Sequence, residues 1–235
     1  MKSIHCTILT ALLLLIGIAR LDAQTIIIPQ SPTETETFAA NELQTYLSRI
    51  LNKKVDLLSD NKTHNQGLHI TVGRTQSNQH HLSRFEVGVT SRGPDSYVMK
   101  VNPQRVELIG GSDRGTLYAV YAFLEMQGCR WYSPWEADHF IPQRKVLNLT
   151  PTDVLHIPTF VQRDIGHETP KDSTVAGFID WMAKNRLNHN FAARQYHLNK
   201  AYRGGDPNRK AWVKRGDHMR WQWICHNFAW FFKDV

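Results

Sequence analysis

Gly110-Gly111-Ser112-Asp113-Arg114-Gly115 closes an apolar strand and opens an apolar-periodic run. A glycine turn leading into a helix is a common way to hold phosphate on backbone N–H groups. Spacing tests that chemistry. A dinucleotide fingerprint needs glycine at its first, third and sixth positions. Counted from Gly110 these are Gly110, Ser112 and Gly115, so the middle glycine is missing. The Gly-Lys-Ser or Gly-Lys-Thr ending of a P-loop is missing too. The glycines are therefore expected to serve packing, with Gly115 letting the first helical turn sit against the preceding strand. Metal chemistry has equally little spacing in its favour. There is no CxxC and no HExxH, and the adjacent His80 and His81 are expected to diverge. No metal site and no cofactor are expected. Cys129 is expected to pack as a small apolar group, and whether it pairs with Cys225 stays open.

The elements that would position such residues read in order. Thr25 to Pro29 is a β-branched run stopped by proline. Ser31-Pro32-Thr33-Glu34 suggests a capping box with Ser31 as N-cap. The helix then runs to about Asn52 with Phe38, Leu43, Tyr46, Leu47, Ile50 and Leu51 on one face. Val55–Leu58 and Leu68–Gly73 read as strands, and 74–94 as a long loop. Ser96–Val101 and Arg105–Ile109 flank Asn102-Pro103-Gln104 as a hairpin. A second helix starts at Ser112 or Asp113, stacks Leu117, Val120, Tyr121 and Leu124, and ends at Gly128. Pro151–Pro158 reads as a linker. Beyond it, Phe160–Ile165 as a strand, a helix carrying Val175, Phe178, Ile179 and Met182, and Asn190–Ala193 as a strand would make a βαβ unit.

Composition bounds the partners. Hydrophobic residues make up 41% and charged residues 21%, a globular balance. Lys2, the apolar run Ile8–Ile18 and Leu21-Asp22-Ala23 read as a signal peptide over 1–23, too short to span a bilayer. The mature chain is expected to be exported, periplasmic or extracellular, with no membrane span. The net charge of +7 comes mostly from the C-terminal third, where the basic residues are scattered. That pattern argues against a nucleic-acid footprint.

Several pieces together carry a resemblance. They are Ile28-Pro29, Ala39–Leu47, Ile70–Gly73, Gly110–Tyr121 and Gly128–Tyr132. In this order the chain resembles the N-terminal α/β domain of family-67 α-glucuronidases, and the accessory domain that precedes the barrel of family-20 β-hexosaminidases. The resemblance covers about residues 24–150. It implies an α/β fold, a small mixed sheet with two helices on one face, that carries no catalytic residue and packs against a following (β/α)8 barrel. Residues 151–235 would then be the first βα units of an incomplete barrel. The implied function is the N-terminal portion of an exported polysaccharide-degrading glycoside hydrolase. The alternative is a non-catalytic carbohydrate-binding or purely structural domain.

The same resemblance supplies site candidates. Pro158-Thr159-Phe160-Val161-Gln162-Arg163 is similar to the opening of the first barrel strand in family-20 enzymes. By that likeness Arg163 would contact substrate; otherwise it forms a salt bridge. Ile224-Cys225-His226-Asn227-Phe228 falls where relatives carry Gly-Gly-His-x-Phe, but both glycines are missing. His226 and Asn227 are candidate contacts on that basis. Trp181 belongs to a group of five tryptophans in the last 55 residues, aromatic surfaces suited to sugar stacking or to a core. The partner expected is an oligosaccharide or polysaccharide. Glycoside hydrolysis needs two carboxyl groups at fixed separation, and the acids after residue 150 include no convincing pair. The chain alone is therefore expected to be inactive.

Overall fold

The structure is a computed structural model. It describes residues 24–62, 67–86, 93–160, 163 and 175–188. Strand β1 (Gln24–Ile28) leads to helix α1 (Glu34–Leu51), then β2 (Asp56–Ser59) and β3 (Leu68–Val72). A 3₁₀ turn (Gln79–His81) and a short helix α2 (Ser83–Glu86) come next. The hairpin strands β4 (Tyr97–Val101) and β5 (Arg105–Gly110) precede helix α3 (Asp113–Met126). Two short strands, β6 (Arg130–Trp131) and β7 (His139–Phe140), make a separate hairpin. Strand β8 (Thr152–His156) and helix α4 (Val175–Lys184) complete the described elements.

The main sheet has the order β2-β1-β3-β5-β4-β8. Its first four strands are parallel, and β4 and β8 are antiparallel to their neighbours. The α/β class and mixed sheet are as expected. The linker expected at Pro151–Pro158 is corrected. Thr152–His156 pairs with β4 from Val101↔Thr152 to Tyr97↔His156. The alternation in Thr152-Asp153-Val154-Leu155-His156 is weak, and only backbone pairing with an open edge makes it a strand. His156 stacks on Tyr97, ring centroids 4.8 Å apart, and Asp153 meets Arg84 at 2.6 Å.

Strand alternation divides the sheet into two buried faces. Ile26, Ile70, Val72, Val106 and Leu108 enter the core shared with α1 and α3. Thr71, Val98, Glu107 and Ile109 are buried on the other face, where Asn78 and His81 of the 74–94 segment are also buried. Thr71 hydrogen-bonds Asn78 at 2.7 Å, and His81 reaches Glu107 at 3.3 Å. Within the expected loop, residues 74–86 thus form a cover carrying short helical turns. The expected divergence of His80 and His81 is also corrected. Their ring centroids lie 3.9 Å apart, because the 3₁₀ turn folds one imidazole over the next.

Helix boundaries obey local chemistry. The capping box of α1 is set by Thr33 and Glu36, two residues beyond the expected Ser31. Glu36 N–H donates to Thr33 Oγ1 at 3.1 Å, and Thr33 N–H donates to Glu36 Oε2 at 3.0 Å. The three longer helices end alike. Asn52, Gly128 and Arg186 each take a left-handed conformation. Lys53, Cys129 and Leu187 then donate back to Ser48, Leu124 and Met182, the longer bond of a Schellman turn.

Candidate functional site

In open α/β sheets, ligands gather at the carboxyl ends of parallel strands, against helix N-termini. That edge is where the glycine turn sits, and here it is satisfied from within. Glu36 is buried. Beyond its capping bond, its Oε1 accepts the Arg74 N–H at 2.9 Å. Gly73, with φ +81°, passes so close that a Cβ would overlap this carboxylate. At α3, Ser112 Oγ accepts the Gly115 N–H at 3.4 Å, and Thr116 Oγ1 accepts the Gly110 N–H at 3.0 Å. The close approach of strand and helix is made at Gly110. A Cβ there would strike the backbone of Gly115 and Thr116. The glycines serve packing, as expected, but the tight contacts fall at Gly110 and at Gly111, whose Cβ would strike the Gly93 carbonyl, where Gly115 was the expected position.

The polar chemistry concentrates at Asp95, just before β4. Asp95 Oδ1 accepts from Arg114 Nε at 2.6 Å, and the pair is nearly solvent-free. Its Oδ2 accepts from Arg163 Nη2 at 2.5 Å and from Asn188 Nδ2 at 2.7 Å. One carboxylate therefore ties α3 to two later segments. Arg163 donates further to the carbonyls of Arg186 and Phe160, both at 2.8 Å. Its guanidinium carbon stands 5.7 Å from the Tyr118 ring centroid. The Tyr118 hydroxyl donates to Leu187 O at 3.1 Å, and burial pushes its pKa well above the ordinary tyrosine value. Arg163 thus sits in a largely buried salt bridge with Asp95.

Trp181 serves the same junction. Its indole N–H donates to Trp131 O at 2.8 Å, and its ring packs partly buried against the core. Asn185 Nδ2 reaches the same carbonyl at 3.3 Å. Arg186 pairs with Glu125 at 2.8 Å. Trp131 in turn donates to the Tyr46 hydroxyl at 2.9 Å and meets the Tyr46 and Tyr121 rings edge-on. The fold therefore brings Arg163 and Trp181 to one docking surface, while His226 and Asn227 lie outside the described residues. Cys129 is fully buried, packing as a small apolar group as expected, and burial pushes its thiol up to about 12.

Sequence reading missed two features. Asp95 sits in a segment without periodicity, so nothing marked it as the partner of two arginines. Tyr132, Trp135 and Phe140 are more than half exposed on and beside the β6–β7 hairpin. Their spacing gave one weak signal, the aromatic run Trp131-Tyr132-Ser133-Pro134-Trp135. Among the described residues, no helix is long and apolar enough to cross a membrane.

The architecture is that of a small mixed-sheet α/β domain whose polar junction grips a segment C-terminal to it. Residues 19–123, somewhat under half of the chain, match the family described as "Glycosyl hydrolase family 67 N-terminus". That segment is similar to the N-terminal domain of family-67 glycosyl hydrolases. Among solved structures, the chain is similar to a family GH115 4-O-methyl-α-glucuronidase with specificity for decorated arabinogalactans. The TM-score is 0.56 at 18% identity, over 85% of this chain and 29% of that one. The chain thus spans under a third of that enzyme's length, and the likeness is one of fold. A GH138 enzyme targeting pectin rhamnogalacturonan II shares 14% identity over 82% of this chain and 22% of its own, with a TM-score of 0.41. The N-acetyl-β-hexosaminidase of Streptomyces plicatus shares 13% over 72% and 30%, with a TM-score of 0.42. No curated protein matches the sequence.

Proposed function

We propose that this chain forms the N-terminal portion of an exported glycoside hydrolase that degrades polysaccharide, α-glucuronidase-like or hexosaminidase-like. In this reading 1–23 is a signal peptide, and the α/β domain is a platform for the first units of a catalytic barrel. The Asp95 junction carries the proposal. A buried carboxylate that spends both oxygens on Arg114, Arg163 and Asn188 holds a later segment in place; it does not present a reacting group. Arg163 and Trp181 position that segment, and His226 and Asn227 are the candidates for contact with sugar.

The catalytic acid and base would come from elsewhere in such a hydrolase. Asp153 is engaged by Arg84 and lies 3.8 Å from Lys100, so its partners are cations that hold it ionised. The purified chain should therefore not turn over aryl glucuronides or aryl hexosaminides. Turnover that tracks the protein through purification would sink this reading. The exposed Tyr132, Trp135 and Phe140 favour a second reading, a carbohydrate-binding platform. Calorimetry with uronic-acid and hexosamine oligosaccharides separates the two. Saturable binding lost in Trp135→Ala supports the second, and absence of heat leaves the platform role.

A further inference from the structure

On the face of the sheet opposite α1 and α3, one ligand atom from each of His80, His81 and Glu107 lie within 4.8 Å of one another. We propose that these three side chains bind a divalent transition ion of the zinc class. The set offers two imidazoles and one carboxylate, which suits a borderline cation. Three protein ligands leave a fourth position for water, and His80 is exposed, so the ion has an entry path.

The geometry bears on each ligand. His80 Nδ1 lies 2.8 Å from Ser77 O. A carbonyl only accepts, so Nδ1 carries the proton and the Nε2 lone pair is left for a metal. A backbone carbonyl holding the distal N–H is the usual support of a metal-binding histidine. His81 Nε2 and Glu107 Oε2 are 3.3 Å apart. Two ligands at ~2.0–2.1 Å on a tetrahedral ion stand roughly 3.3–3.4 Å from each other. The gap matches the edge of such a tetrahedral site, and it is long for a charge-assisted hydrogen bond.

His81 is not locked as an Nε2–H donor. Its Nδ1 is buried without a partner, so the proton has another nitrogen to occupy when a cation takes Nε2. Neighbouring positive charge is partly neutralised. Arg84 is paired with Asp153, and Arg105, half exposed, approaches the other Glu107 oxygen at 3.7 Å.

The test is calorimetric titration of the full chain with Zn2+, with thermal melts in parallel. One saturable site and a raised Tm are expected in the wild-type chain. His80→Ala, a surface change that leaves the core intact, should abolish both effects. Glu107→Gln should weaken binding at least about tenfold, and His156→Ala, on the edge strand β8 two strands away, should bind as wild type. Absence of a saturable site, or a His80→Ala variant with unaltered affinity and Tm response, would overturn the proposal. The readout is binding, so it stands or falls apart from any glycosidase activity.

Discussion

Asp95 gathers more consequence than any other single side chain described. It is 4% exposed and balances two guanidinium groups. Removing one member of a buried pair leaves the other charge without compensation, which costs about 3–5 kcal/mol. Asp95→Asn should lower stability by that order in urea unfolding, whereas a change under about 1 kcal/mol would show that the junction carries little. Two histidines outside the proposed metal site contribute to a pH dependence. Burial, first among several influences, holds His139 and His156 below the ordinary imidazole pKa, with Lys184 adding to it at His139 and Arg186 and Arg163 at His156. A depressed folded pKa means that the unfolded chain takes up protons first as the pH falls. Their contribution is whole above about pH 6.5 and drains below it. The urea midpoint should therefore be lower at pH 5.5 than at pH 7.5, and an equal or higher midpoint at pH 5.5 would contradict the assignment.

At the level of elements, the legible features came from local signals. The apolar stripe of α1, the hairpin around Asn102-Pro103-Gln104 and the helix stop at Gly128 all arise from periodicity or turn chemistry in adjacent residues. The misreadings arose from partners distant in sequence. Ser31 looked like a cap, but Glu36 also has to reach the Arg74 N–H, which selects Thr33. Strand β8 exists because β4 offers an open edge, and its own residues advertise little. Arg186 occupies a left-handed position usually given to glycine, held there by Glu125 and by the bond from Arg163 to its carbonyl. The role of β8 can be tested by truncation. A chain ending at residue 150 exposes the β4 edge, and should melt lower and aggregate more than one ending at 158. Identical melting would show that β8 adds nothing to the sheet.

Across the molecule, the candidate site was only partly legible. Arg163 and Trp181 were singled out for sugar chemistry, and both join α4 and its flanks to the α/β domain. An arginine's fork of donors suits a carboxylate whether that belongs to a uronate or to Asp95, and no sequence pattern tells the two apart. The central claim is that this domain uses its polar groups to hold the segment C-terminal to it. Hydrogen exchange on the full chain, wild type against Asp95→Asn, addresses that most directly. The account predicts that amides of 175–188 are protected in the wild type and exchange markedly faster in the variant, with α1 unchanged. Equal exchange of 175–188 in the two proteins would contradict it.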